Sequence, residues 1–281
     1  MSPPQAPQSD AAHELGAMLR ARREALQPTD VGLIAGPRRR TRGLRREEVA
    51  MLAAISPTYY AFLEQGRGVK PSRAVLDALS GALALEPAER DYIHALVHGG
   101  PPPTDNQGSI EILAPGIAEL VDRLHPHPTY VTGRCWDVLA SNRAARALWT
   151  DWPALPATER NILAWMFTPP ARAVFVDWEH EASAQLARFR GAAARHPGDP
   201  AFADLIERLH ASSPEVRAWW PRQDVAPLGS GRKRLRHPAL GEIELRHVVL
   251  QVADEPEQKL VTFAPSAGDE RRIAELAATL D

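Results

Sequence analysis

At 281 residues, with 44% apolar and 24% charged side chains, the chain is long enough for two packed cores. Its formal charge of −2 excludes a globally basic polyanion binder, so any nucleic-acid surface has to come from local clustering. One cysteine, Cys135, excludes a disulfide framework, a cysteine-ligated zinc finger and an iron–sulfur cluster.

The first ten residues read as a disordered leader without the basic-then-apolar pattern of a secretory signal, and no apolar run is long enough to span a bilayer. A cytoplasmic, nucleoid-associated protein is the expectation. Basic residues are almost all arginine, which reads as codon bias and carries no functional weight by itself.

From Ala11 to Leu26 the apolar residues Leu15, Met18, Leu19 and Leu26 follow helical spacing. A loop bearing Pro28, Gly32, Gly36 and Pro37 leads to a short helix over Arg45–Ala54. Ser56 is a good N-cap and Pro57 suits the first helical position, so a further helix should run to Gln65, with Gly66 closing it. Ser72 caps a helix ending near Leu85, and Pro87 opens another to Val97. The first domain, 11–98, is therefore expected to be an all-α bundle of five helices. Residues 99–109, with Gly99-Gly100-Pro101-Pro102-Pro103, read as a linker.

Beyond the linker, residues 110–281 read as an α+β domain with a small sheet. Helices are expected at Pro115–His125, Asn142–Trp149, Thr158–Phe167, Pro170–Arg195, Pro200–Ala211 and Pro214–Gln223. Strands are expected at Tyr130–Val131, Cys135–Ala140, Arg232–Arg236, Glu242–Val252 and Lys259–Phe263. In Glu242-Ile243-Glu244-Leu245-Arg246 the alternation is that of a half-exposed antiparallel strand.

The helices over 45–54 and 56–65 suit a helix-turn-helix, in which the second helix reads bases in the major groove and the first braces it across the backbone. Tyr60 and Leu63 should face the core. Thr58 and Phe62, with Tyr59 beside them, would meet DNA: Thr58 at a base edge or thymine methyl, Tyr59 at phosphate or base, Phe62 by apolar contact. Arg46 would hold a phosphate, and Arg67 and Lys70 would grip the backbone beyond the reading helix. Arg38, Arg39, Arg40, Arg42, Arg45 and Arg46 place six arginines in nine residues beside that surface.

The string TRGLRREEVAMLAAISPTYYAFLEQGRGVKPSRAVLDALSGAL resembles the XRE-type helix-turn-helix of MmyB-like transcriptional regulators, most specifically over Tyr59–Arg67. From that resemblance Arg46, Thr58 and Tyr59 fall at positions that commonly touch DNA, while Phe62 stands where many relatives place a basic residue. PTYVTGRCWDVLASNRAARALW, NILAWMFTPPARAVFVDWEHEA, GSGRKRLRHPALGEIEL and QKLVTF are similar to the ligand-binding region of the same family. The resemblance implies a PAS-like fold and a cavity for a small hydrophobic effector, for instance a fatty-acyl compound. The chain departs from the family pattern at Gln223 and at Arg246-His247-Val248.

Tryptophans cluster between residues 136 and 220. Tyr130, Trp136, Trp165 and Phe167 are the expected cavity wall, with Arg134 or Asn142 as polar anchor. The implied whole is a DNA-binding repressor acting as a homodimer on a double-stranded operator. The alternative is a DNA-binding domain fused to an enzyme or to an effector-free protein-interaction module.

No catalytic set, cofactor or metal is expected. His94 and His98 share a helix face without a third ligand, and His125 and His127 flank a proline. Ser230-Gly231-Arg232-Lys233 satisfies S-x-x-K without its companion motifs. Glu179 and Glu181 read as a solvated helix face, and Cys135 as a buried, inert thiol.

Overall fold

The computed structural model describes residues 7–34, 43–67, 69–98 and 111–280. The chain forms two compact units.

The first unit holds the N-terminal helices: α1 (Pro7–Ala25), α2 (Arg46–Leu52), α3 (Pro57–Glu64), α4 (Arg73–Ala82) and α5 (Pro87–His98). α2 to α5 lie where the sequence pattern put them, whereas α1 starts at Pro7, inside the stretch expected as a disordered leader. Ser56 caps α3 by accepting from the Tyr59 N–H at 3.1 Å, and Ser72 caps α4 by accepting from the Val75 N–H at 3.4 Å. Leu15, Met18, Leu19, Val49, Tyr60, Leu63, Leu76, Leu79 and Ile93 form one core. α1 crosses α3 at Gly16, where a Cβ would lie 2.6 Å from the Glu64 carbonyl oxygen; glycine allows the backbones to touch.

This unit also takes in residues 190–200 and 217–227. Ala194 and Val225 lie against its core. Arg190 is buried, pairs with Glu14, donates to Gln223 Oε1 at 2.7 Å and stacks 3.8 Å over Trp220. The Tyr92 hydroxyl donates to the same Glu14 at 2.7 Å.

The second unit is built on a five-stranded antiparallel sheet in the order β2-β1-β5-β4-β3. Its strands are β1 (Thr129–Thr132), β2 (Val138–Ser141), β3 (Gly231–His237), β4 (Gly241–Gln251) and β5 (Lys259–Ala264). Segments about 130 residues apart in sequence thus meet, as β1 pairs with β5 through Tyr130–Val261 and Val131–Leu260. Leu235, Ile243 and Leu245 point inward, whereas Arg236 and Glu242 pair across the exposed face at 2.7 Å. The remaining helices are α6 (Ile117–Arg123), α7 (Arg143–Leu148), α8 (Ile162–Met166), α9 (Pro169–Val174), α10 (Trp178–Ala193), α11 (Pro200–Ser212), α12 (Pro214–Trp219) and α13 (Ala267–Ala277), the last residues of α10 and α12 belonging to the first unit. The architecture is an all-α helical bundle and an α+β unit built on an antiparallel sheet.

Besides a β2 that starts only at Val138 and an α8 that starts only at Ile162, two elements differ from the sequence pattern. The single helix expected over 170–195 is broken at Phe175-Val176-Asp177, where Phe175 bridges to Leu235 and the Val176 N–H donates to the Arg234 carbonyl at 3.0 Å. Asp177 then takes a two-pronged contact from Arg234. Pairing with a sheet edge overrides helical propensity there. The second difference is α13, which follows the last strand and packs on α7; Ser266 caps it, and Ile273 and Ala277 are its buried face.

Candidate functional site

The turn between α2 and α3 sets the first candidate surface. Ala54, at φ 52°, turns the chain, and the Ile55 N–H donates back to the Ala50 carbonyl at 2.9 Å. Tyr60 and Leu63 are buried and fix α3 against the core. Thr58 consequently stands exposed in the first turn of α3, with Tyr59 half-buried beside it. Arg45, Arg67 and Lys70 are exposed around this helix. Arg38, Arg39, Arg40 and Arg42 lie outside the described residues.

Two of the expected contacts take a different form. Phe62 is half-buried with the Arg67 guanidinium 5.4 Å above its ring, so cation and ring cover one another instead of presenting a bare apolar tip. Arg46 donates through Nε to Glu64 Oε2 at 2.6 Å, and Glu64 also accepts from Arg23 Nε at 2.5 Å. The Glu64 side chain has no solvent exposure, whereas that of Arg46 is 39% exposed. Burial opposes ionisation of Glu64, but the hydrogen bonds and charges of Arg23 and Arg46 outweigh it and hold the carboxyl below its ordinary range. Arg46 therefore fastens α2 to α3 while presenting part of its guanidinium outward. This buried bridge left no periodic signal in the sequence.

The second candidate site is a cleft within the sheet-bearing unit, enclosing about 520 Å³ with the open solvent at its mouth included. Tyr130, Trp136, Ile162, Val261 and Phe263 supply an apolar wall. Tyr130 and Phe263 rings lie 6.0 Å apart, and Trp136 sits edge-on to Phe189 at 5.4 Å. Trp136 occupies the left-handed region at φ 66°, a costly conformation for a bulky residue and a mark of local constraint.

Of the expected wall, Tyr130 and Trp136 line this cleft. Trp165 packs edge-on against Trp152 at 5.6 Å and Phe167 against Trp178 at 6.1 Å, both away from its lining. Asn142, one expected anchor, caps α7: its Oδ1 accepts from Thr129 and Ala145 N–H groups, and its Nδ2 donates to the Val121 and His127 carbonyls. Arg134 lies 6.0 Å over the Phe202 ring and outside the cleft lining.

The polar wall consists of side chains that sequence reasoning did not select: Arg188, Lys233, His247 and Lys259, together with Gln185. Lys233 pairs with Glu181, which is 8% exposed. Glu181 is thus a buried counter-ion and not part of a solvated helix face. Burial pushes the Lys233 ammonium and the Arg188 guanidinium below their ordinary ranges, with Glu181 opposing both shifts.

Cys135 lies outside this cleft, 5% exposed, with its Sγ–H donating to the Ala201 carbonyl at 3.4 Å. Burial, reinforced by the Asp137 charge, pushes the thiol up to about 12. Native protein at pH 8 is accordingly expected to resist iodoacetamide at Cys135 while urea-unfolded protein labels fully. Mass spectrometry reads this out, and rapid native labelling would contradict the buried thiol.

Among the described residues no cluster of His, Cys, Asp and Glu is suited to hold a metal ion, and His94 is engaged with Asp77 at 3.1 Å. No helix among them is long and apolar enough to cross a membrane.

No curated protein matches the chain. Family models do: residues 14–93 match a helix-turn-helix domain, and residues 113–278 match the MmyB-like transcription regulator ligand binding domain. These are domains of a transcription regulator and not of an enzyme family. With more than half its length inside the second match, behind a DNA-binding helix pair, the chain belongs to the family of MmyB-like transcription regulators.

Proposed function

We propose that this DNA-binding regulator is a one-component repressor. Its α3 reads a double-stranded operator, it acts as a homodimer, and the cleft beside β1, β4 and β5 holds a small, largely apolar effector. The observation that carries the reading is the exposure of Thr58 in the first turn of a helix whose opposite face is locked into the core, with Arg67 and Lys70 flanking it. One short helix reaches few base pairs, so two-fold pairing supplies the rest of the site. An effector shifts operator binding only through unequal affinity for the two dimer geometries. An enzymatic alternative requires a convergent nucleophile and base, and the cleft wall offers neither in a paired arrangement.

The test uses a duplex selected from a random library by the full-length protein. Thr58→Ala is expected to lower affinity for that duplex about tenfold and leave non-specific binding unchanged. Lys70→Ala should weaken both and reduce the slope of log affinity against log salt by about one. Arg46 is unsuited to this test, since it also holds Glu64. Unchanged specific affinity in both variants would remove α3 as the reading element. Repression is checked by transcription from a promoter carrying the selected site, and dimerisation by the mass of the protein–DNA complex.

A further inference from the structure

α3 is short of the side chains that read bases by hydrogen bonding. Telling guanine, adenine or cytosine apart at a base edge is the work of arginine, lysine, asparagine, glutamine and the carboxylates. Between Pro57 and Glu64 the only such side chain is Glu64 itself, and its carboxylate is sealed between Arg23 and Arg46 without solvent exposure. Gln65 is exposed, but as the C-cap residue it lies about 10 Å beyond Thr58 along the helix axis. A helix that enters the groove by its N-terminal turns keeps that end near the rim, where phosphates are closer than base edges.

What α3 offers instead is hydrocarbon. Thr58, Ala61 and Phe62 follow one another at spacings of three and four and therefore share one patch of the helix surface. Thr58 is exposed, and Ala61 and Phe62 are half-buried, while Tyr60 and Leu63 hold the other side of the helix in the core. The Arg67 guanidinium, 5.4 Å from the Phe62 ring centre, remains exposed itself, so it steadies the ring from one side and leaves part of the ring open. In the major groove the apolar group on a base edge is the C5-methyl of thymine, and a methylated cytosine presents the same group at the same place.

We propose that α3 recognises its operator through pyrimidine C5-methyl groups, which the Thr58 methyl, the Ala61 methyl and the Phe62 ring take out of water, so that thymines lie beneath the helix. This rests on the reading of α3 as the element that enters the groove, and it names the chemistry read there. Phe62 becomes the residue that separates thymine from uracil, two bases with identical hydrogen-bonding edges. A hydrogen-bonding reader would treat those two bases alike.

The experiment measures, by fluorescence anisotropy, the affinity of the full-length protein for the library-selected duplex and for copies in which deoxyuridine replaces thymidine one position at a time. Loss of one buried methyl is expected to weaken binding about fourfold at the positions under α3. At those positions 5-methyldeoxycytidine is compared with deoxycytidine, each opposite guanine: a matching gain supports a seat open to either methylated base, and a deoxyuridine penalty without it supports one that takes thymine alone. Phe62→Ala and Thr58→Ser, the second of which keeps the hydroxyl and loses the methyl, should each shrink the deoxyuridine penalty. Thr58 is exposed, so its variant carries the test even if Phe62→Ala folds poorly. No penalty at any position, with the loss in Thr58→Ala intact, overturns methyl reading yet leaves α3 as the reading helix. A penalty that both variants preserve in full overturns it too, since the methyls then act on another element or through the flexibility of the duplex. Unchanged affinity in every α3 variant overturns it together with the placement of α3 in the groove.

Discussion

Glu64→Gln is expected to destabilise the helix-turn-helix unit by about 3 kcal/mol, because removing one partner of a buried ion pair leaves charge behind without compensation. Arg23, with 8% of its side chain exposed, loses its two contacts to the Glu64 carboxylate and keeps the Leu44 carbonyl at 3.0 Å and the largely exposed Glu24 at 3.1 Å. Arg46 loses the tie that joins α2 to α3. Urea unfolding monitored by hydrogen exchange at the amides of α1 and α3 measures the effect. Glu24→Gln is the control, expected to cost less than about 1 kcal/mol, as surface pairs do. A Glu64→Gln protein within 0.5 kcal/mol of the unaltered chain, a difference of roughly the size of a neutral surface change, would show that the bridge contributes little.

The same bridge gives a pH dependence of known sign. The Glu64 carboxyl is held below its ordinary range when folded, so its contribution is complete above the ordinary carboxylate range. That contribution is lost as pH falls through the lower, folded value. Unaltered protein should therefore lose stability on acidification more steeply than Glu64→Gln, and the two should converge at low pH.

Asn142→Ala is expected to cost about 2–4 kcal/mol, since one truncation leaves up to four buried backbone groups without a partner and removes the α7 cap. Thermal unfolding of the full chain reads this directly. A ligand anchor behaves in the opposite way, with stability nearly unchanged and effector affinity lost. That outcome would restore Asn142 to the binding site and move the cleft from where Tyr130, Phe263 and His247 place it.

The legible parts of the sequence were those with a period or a cap. Ser56-Pro57 and Ser72 announced α3 and α4, and the alternation over 242–246 announced β4. The buried charges were harder to read. Lys233 shares strand parity with Leu235, and His247 with Ile243 and Leu245, so a basic residue at an inward-facing position was a signal available in the alternation itself. Arg188 and Glu181 sit on a helix without strong amphipathic contrast, where nothing local distinguishes a cleft-facing cation from a solvated one. Likewise Trp165 and Phe167 have the composition of a cavity wall, but only the fold decides which aromatic residues pack on one another.

Ala54 turns the corner between α2 and α3 in a backbone region that favours glycine. Its methyl group costs on the order of 1 kcal/mol in the folded chain. In return it narrows the conformations open to the corner before folding. The angle between α2 and α3 is held in the folded chain by the Ile55 N–H donating to the Ala50 carbonyl and by the Arg46–Glu64 pair. A glycine at this corner would remove the backbone strain and return that freedom to the unfolded chain.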